Sequence, residues 1–130
     1  MAAYWTTLHA AANDPVITSL MTSRNKIVFS RTLEKVEWNN SLLINGNIAE
    51  EITKRKHEDG KDIFIFGSGT IISFFSSLGL IDECRIIVNP ILLGSGNLLF
   101  NAIPGRMKLK LIRTKTFNSG NVLLCYEHAA

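Results

Sequence analysis

The sequence is short of the residues that build metal centres and disulfides. It has two cysteines, Cys84 and Cys125, and three scattered histidines, His9, His57 and His128. None of their spacings matches a metal-ligand motif. Both cysteines fall in predicted strands and read as buried free thiols of a reducing compartment. Long hydrophobic runs are also missing, so no segment reaches the length needed to span a membrane. The opening Met1-Ala-Ala-Tyr-Trp has neither a basic start nor a long apolar run, which argues against a signal peptide. A cytoplasmic chain without membrane contact is the expectation. Charge is modest: 19% of residues are charged, for a net +3 and a pI near 9.0. The densest basic group, Lys54-Arg55-Lys56, has no aromatic platform beside it. It reads as a solvated helix face rather than a nucleic-acid footprint. A mild positive excess also suits a small anionic ligand. Internal repeats and low-complexity stretches are absent.

What is present is a hydrophobic content of 46% over 130 residues. That is enough for one globular domain with a core. The most informative stretch starts at Asp62. Residues 63–66 are continuously apolar, as in a strand covered on both faces. Gly67, Ser68 and Gly69 form a glycine turn, and a helix is predicted from Thr70 through Ile71 to Ser77. Gly67 and Gly69 let another group approach their backbone. The helix start aims free N–H groups and a positive dipole end over the turn, an arrangement suited to phosphate. The bland alternative is that the glycines serve tight packing alone.

The remaining elements follow from caps and turns. Residues 1–12 read as the tail of a helix with Tyr4, Trp5 and Leu8 as its apolar stripe. Asp14-Pro15 starts a short helix over 16–22. Strands are predicted at 26–30 and 41–44. Asn47 caps a helix over 48–58, with Ile48, Ala49 and Ile52 inward. Gly79 stops the helix that begins at Thr70. A strand at 84–89 ends at Pro90, and a glycine-bearing loop follows over 91–97. Strands at 109–117 and 122–127 flank a hairpin turn at 118–121. In the first of these, Leu109, Leu111 and Arg113 are expected on the face opposite Lys108 and Lys110. The order argues an α/β fold with a mixed sheet flanked by helices and an antiparallel hairpin at the C-terminus.

Four segments together resemble the dihydrofolate reductase-like superfamily, in its branch related to the riboflavin biosynthesis reductase domain. They are Val28-Phe-Ser30-Arg31-Thr32-Leu33, the glycine turn with its helix, Leu80 through Asp82-Glu83 to Pro90-Ile-Leu-Leu93-Gly94-Ser95-Gly96 and Phe100, and the pair from Lys115 to Tyr126. The resemblance implies NADPH as cofactor and a small-molecule substrate: a pterin, dihydrofolate-like or ribosylamino-pyrimidine-like compound. It implies cofactor binding at Gly67, Ser68, Gly69, Thr70 and Ile71, with Ser30, Arg31 and Thr32 reading the adenosine 2′-phosphate. The chemistry agrees, since hydroxyls and a guanidinium suit a phosphate monoester. The plain alternative for that trio is a polar strand end.

Two departures qualify the resemblance. The riboflavin-pathway reductases usually carry Glu before the glycine turn, where this chain has Phe66. The family's opening strands, with Ser-x-Asp-Gly and Gly-Arg-x-Thr-Tyr segments, have no counterpart here, and they flank the strand at 63–66. A domain lacking the family's first strands is therefore expected, and a homodimer could fill the gap. No residue stands out as a proton donor; His9, His57, Asp82 and Glu83 read as surface or structural. The alternative to a working reductase is a truncated, catalytically inactive nucleotide-binding or structural remnant.

Overall fold

The computed structural model describes residues 1–66, 68–100 and 103–129. Its elements follow the order α1 (Ala2–Trp5), α2 (Leu8–Asn13), α3 (Pro15–Ser23), β1 (Lys26–Phe29), β2 (Ser41–Ile44), α4 (Ile48–Lys56), α5 (Gly69–Ser77), β3 (Glu83–Val88), β4 (Leu109–Thr116) and β5 (Val122–His128). The fold is mixed α/β, with the antiparallel hairpin at the C-terminal end. Contacts divide it into two compact units, Met1–Arg55 and Lys56–Ala130, which are described in turn.

In the first unit the single N-terminal helix expected over 1–12 is two short ones. Thr7 separates them: its side chain accepts from Ala10 N–H and caps α2. The expected apolar stripe does not form. Leu8 is almost fully exposed, and Ala10 is the residue buried. Asp14 starts α3 as the sequence suggests, its Oδ1 accepting from Ile17 N–H at 3.0 Å. The other end of α3 is held by Lys26, whose Nζ donates to the carbonyls of Met21, Thr22 and Arg24 at 2.7–3.1 Å. The same ammonium lies 4.6 Å from the centre of the Trp38 ring. β1 and β2 pair in parallel, Lys26 opposite Ser41 through Phe29 opposite Ile44. At the start of α4, Asn47 Oδ1 faces Glu50 N–H, and its amide donates to the Glu50 carboxylate, a reciprocal cap. Ile52 is the buried residue of that helix.

In the second unit β5 is the middle strand, paired antiparallel with β3 on one side and β4 on the other. Cys125 lies fully buried on it. The two cysteines are free, as expected from the sequence. Cys84 pairs with Tyr126 and Arg85 with Cys125, so the two thiols point to opposite faces. The hairpin turn has Gly120 at φ +85°, with Gly120 N–H donating to Phe117 C=O. One expected alternation is corrected. The register shifts between Leu111 and Arg113, so Lys110, Arg113 and Lys115 face Glu127, Cys125 and Leu123. The extra residue, Ile112, moves Arg113 onto the lysine face, as a bulge does.

The strand expected at 63–66 is also corrected. The segment is irregular, with Phe64 and Phe66 exposed. Among the described residues no backbone–backbone hydrogen bond engages residues 61–66. An apolar run supplies strand-forming side chains, but a strand exists only where a neighbour completes the ladder. Here none does. α5 consists of poor helix formers and is anchored by burial of Phe75, only 3% exposed. No helix among the described residues is long and apolar enough to cross a membrane.

Candidate functional site

The first part of the predicted site lies just beyond the carboxyl ends of the parallel pair β1–β2. Ser30 N–H donates to Ile44 C=O at 3.3 Å, which fixes the strand end. Ser30 Oγ accepts from the N–H groups of Thr32 (3.2 Å) and Leu33 (3.1 Å) and lies 3.4 Å from Thr32 Oγ1. This hydroxyl-centred turn reverses the chain and brings both side-chain oxygens together. Asn45, at the end of β2, donates to Leu33 C=O and ties the turn down. Arg31, on the same turn, is exposed and makes no ion pair or hydrogen bond among the described residues. Two hydroxyls and an uncommitted guanidinium beyond the carboxyl ends of parallel strands fit a phosphate monoester. Asn45 was not singled out in the sequence; its position one residue after a strand was the available signal.

The second part is the start of α5. Gly67 lies outside the described residues. Ser68 is the N-cap residue, but its side chain makes no capping bond. The first intrahelical bond there runs from Ile72 N–H to Ser68 C=O at 2.9 Å. The N–H groups of Gly69, Thr70 and Ile71 have no backbone acceptor among the described residues, leaving donors available to an anion. Gly69 also has a close backbone neighbour. A Cβ placed on it would stand 3.3 Å from the Leu99 carbonyl oxygen. The chain's own backbone therefore uses that close approach, as the packing alternative expected, and Leu99 had not been identified as the neighbour. Ser30, Arg31 and Thr32 belong to the first unit; Ser68, Gly69, Thr70 and Ile71 belong to the second.

Other polar groups considered from the sequence are engaged structurally. Asp82 accepts from Lys56 at 2.7 Å. Glu83 accepts from Arg85 at 2.6 Å, and that hydrogen bond holds its carboxyl below the usual pKa. His9 shares a hydrogen bond with Asn13. Burial pushes the Cys84 thiol pKa up, which makes it a poorer nucleophile at neutral pH. Two surface clefts lie elsewhere. One, of about 430 Å³, is lined by Thr18, Ser19, Thr22, Asn39 and Asn40 among others. The other, of about 170 Å³, is lined by Ser76, Ser77, Arg106 and His128 among others. Neither contains a predicted cofactor residue, and the chemistry described above, rather than cleft size, defines the candidate site. Among the described residues no cluster of histidine, cysteine and carboxylate side chains could hold a metal ion.

Comparison with known proteins agrees with this architecture. The crystal structure of a "Putative riboflavin biosynthesis protein" from Shewanella sp. PV-4 superposes with a TM-score of 0.72 at 24% identity, over 83% of this chain and 62% of that one. That likeness is one of fold. The protein YyaP of Bacillus subtilis (strain 168) is 43% identical over 108 residues, which are 83% of this chain and 57% of YyaP. YwjB of the same organism is 32% identical over 102 residues, covering 78% of this chain and 58% of YwjB. The chain thus spans less than two thirds of each of these proteins. The sequence model of the RibD C-terminal domain matches residues 5–123, from α1 through β4 to the start of β5, and the chain belongs to that family.

Proposed function

We propose that this chain is a reductase-type domain that binds NADPH and serves hydride transfer to a heterocyclic small molecule. The substrate would be pterin-like, dihydrofolate-like or a ribosylamino-pyrimidine. The observation that carries the reading is the β1 turn: Ser30 and Thr32 hydroxyls beside Arg31, which has no ion-pair partner among the described residues, beyond the carboxyl ends of parallel strands. In this reading Arg31 neutralises the 2′-phosphate while Ser30 and Thr32 fix its oxygens. The N–H groups of Gly69, Thr70 and Ile71 supply the phosphate-binding donors at α5. When bound, NADPH supplies a hydride from its nicotinamide; the protein's part is binding and orientation. A cytoplasmic setting goes with a free-thiol, NADPH-using protein.

The test is Arg31→Ala, titrated with NADPH and NADH in parallel by calorimetry. Loss of one charge-assisted phosphate contact costs about 1.5–3 kcal/mol. NADPH affinity should fall roughly ten- to a hundredfold, with NADH nearly unchanged. Equal losses for both cofactors, or an unaltered chain that binds neither, would overturn the assignment. A second reading, a nucleotide-binding domain without turnover, is favoured by the engagement of Asp82 and Glu83 with Lys56 and Arg85. NADPH binding without NADPH oxidation, with each candidate substrate class supplied, would select it.

A further inference from the structure

We propose that the cleft between the C-terminal end of α5, the turn at 103–107 and the end of β5 binds a small oxyanion of phosphate chemistry, at a place separate from the candidate cofactor site. The inference is independent of the NADPH reading. It starts from the donors that line the cleft: the Arg106 guanidinium, the His128 imidazole and the Ser76 hydroxyl. Ser76 is only 6% exposed, and its side chain makes no hydrogen bond among the described residues. A hydroxyl that far from bulk water is costly unless something answers it. Arg106 is exposed and forms no ion pair among the described residues. No carboxylate is among the described residues that line the cleft. Glu127, next to His128 in the chain, lies on the opposite face of β5 and is held by Lys110 at 2.9 Å.

The backbone brings these groups to one small space. Gly105 has φ +151°, and its N–H donates to Ile103 C=O at 2.8 Å, a tight turn just before Arg106. His128 pairs with Leu109 at the end of the β4–β5 ladder, and Ala129 N–H donates to Lys108 C=O beyond it. The negative end of α5 would by itself repel an anion, but three of its last four carbonyls are already taken. Phe74 C=O accepts from the Ser77 hydroxyl at 2.7 Å, Phe75 C=O from Leu80 N–H and Ser76 C=O from Gly79 N–H. The cleft volume of about 170 Å³ is below the roughly 300–1,000 Å³ of pockets for larger organic ligands. A small volume, cationic and hydroxyl donors and no carboxylate favour a compact oxyanion. α5 has nine residues and is about 13 Å long. This cleft and the N–H groups of Gly69, Thr70 and Ile71 therefore stand at its two ends.

The experiment is titration of the isotope-labelled chain with inorganic phosphate, followed by amide NMR shifts, with sodium chloride at matched ionic strength as the blank. Amides of Ser76, Ser77, Arg106 and His128 should move along one saturating curve that chloride does not reproduce. Arg106→Gln should weaken that binding roughly ten- to a hundredfold. Ser76→Ala should weaken it roughly two- to tenfold, and Arg31→Ala should leave it unchanged. Arg106 is exposed and alanine favours a helix, so both variants should keep the fold. Should Ser76→Ala lose its dispersed spectrum, the exposed His128→Gln replaces it with the same expectation. Glycerol phosphate, titrated in parallel, separates two sources of the anion. Tighter binding of the ester assigns the phosphoryl end of a larger molecule; equal or weaker binding assigns the free ion. Shifts confined to Arg31 and residues 69–71, shifts that chloride reproduces, the absence of saturation, or an Arg106→Gln chain that binds phosphate as before would overturn the proposal.

Discussion

Asp14 and Lys26 hold the two ends of one helix, and each does so by a mechanism a single substitution can remove. Asp14 Oδ1 accepts an N–H that α3 would otherwise leave open. Asp14→Ala should cost about 1 kcal/mol of unfolding free energy in urea titrations. Lys26 acts on the carbonyl end, where a positive charge also opposes the helix dipole. Burial pulls its pKa down, so desolvation offsets part of that gain. Lys26→Met should cost about 1–2 kcal/mol, whereas Lys54→Met, exposed on α4, should stay within about 0.5 kcal/mol. Equal effects for the two lysines would show that the carbonyl contacts contribute nothing. At this scale much was legible: Asp14 before Pro15 and Asn47 before a helix announce caps by residue type and position. The role of Lys26 was not legible, because its three carbonyls become neighbours only when the chain turns from α3 into β1.

Two glycines with positive φ allow elements to be compared. Gly79 follows α5 at φ +66°, and a Cβ there would meet nothing within 4 Å. Gly120 sits in the β4–β5 turn at φ +85°, where a Cβ would come within 3.2 Å of Pro90 Cγ. Alanine at either site carries the left-handed backbone penalty of about 1–2 kcal/mol. Gly120→Ala adds the clash with Pro90 and should lower the urea midpoint further than Gly79→Ala. The reverse order would mean that the hairpin relaxes more easily than the helix end. Strand positions 41–44 and the hairpin could be read from composition and turn residues. The Ile112 bulge could not, because register depends on the partner strand, and one inserted residue moves Arg113 to the other face.

For the molecule as a whole, stability should pass through a plateau in pH. The Arg85 hydrogen bond holds the folded Glu83 pKa below its ordinary value of 4.5. Its contribution is present above that value and is lost as pH falls through the folded pKa. Cys84 is shifted the other way by burial, above its ordinary 9.0. Its contribution is present below that value and is lost as pH rises through the folded pKa. Urea midpoints across pH should fall on both sides; Glu83→Gln should flatten the acid limb and Cys84→Ala the alkaline limb. An acid limb unchanged by Glu83→Gln would place the responsible carboxylates elsewhere. The sequence by itself determined the α/β class, most helix and strand positions, the family and the residue types of the β1 turn. These rest on local spacing, caps and side-chain chemistry, which neighbours in the chain specify. Tertiary structure alone decided that residues 63–66 form no strand, that Gly69 lies against Leu99, and that Arg113 sits with the lysines. Each of those depends on which distant backbone comes alongside, and an apolar run or a glycine records readiness for a neighbour without naming it.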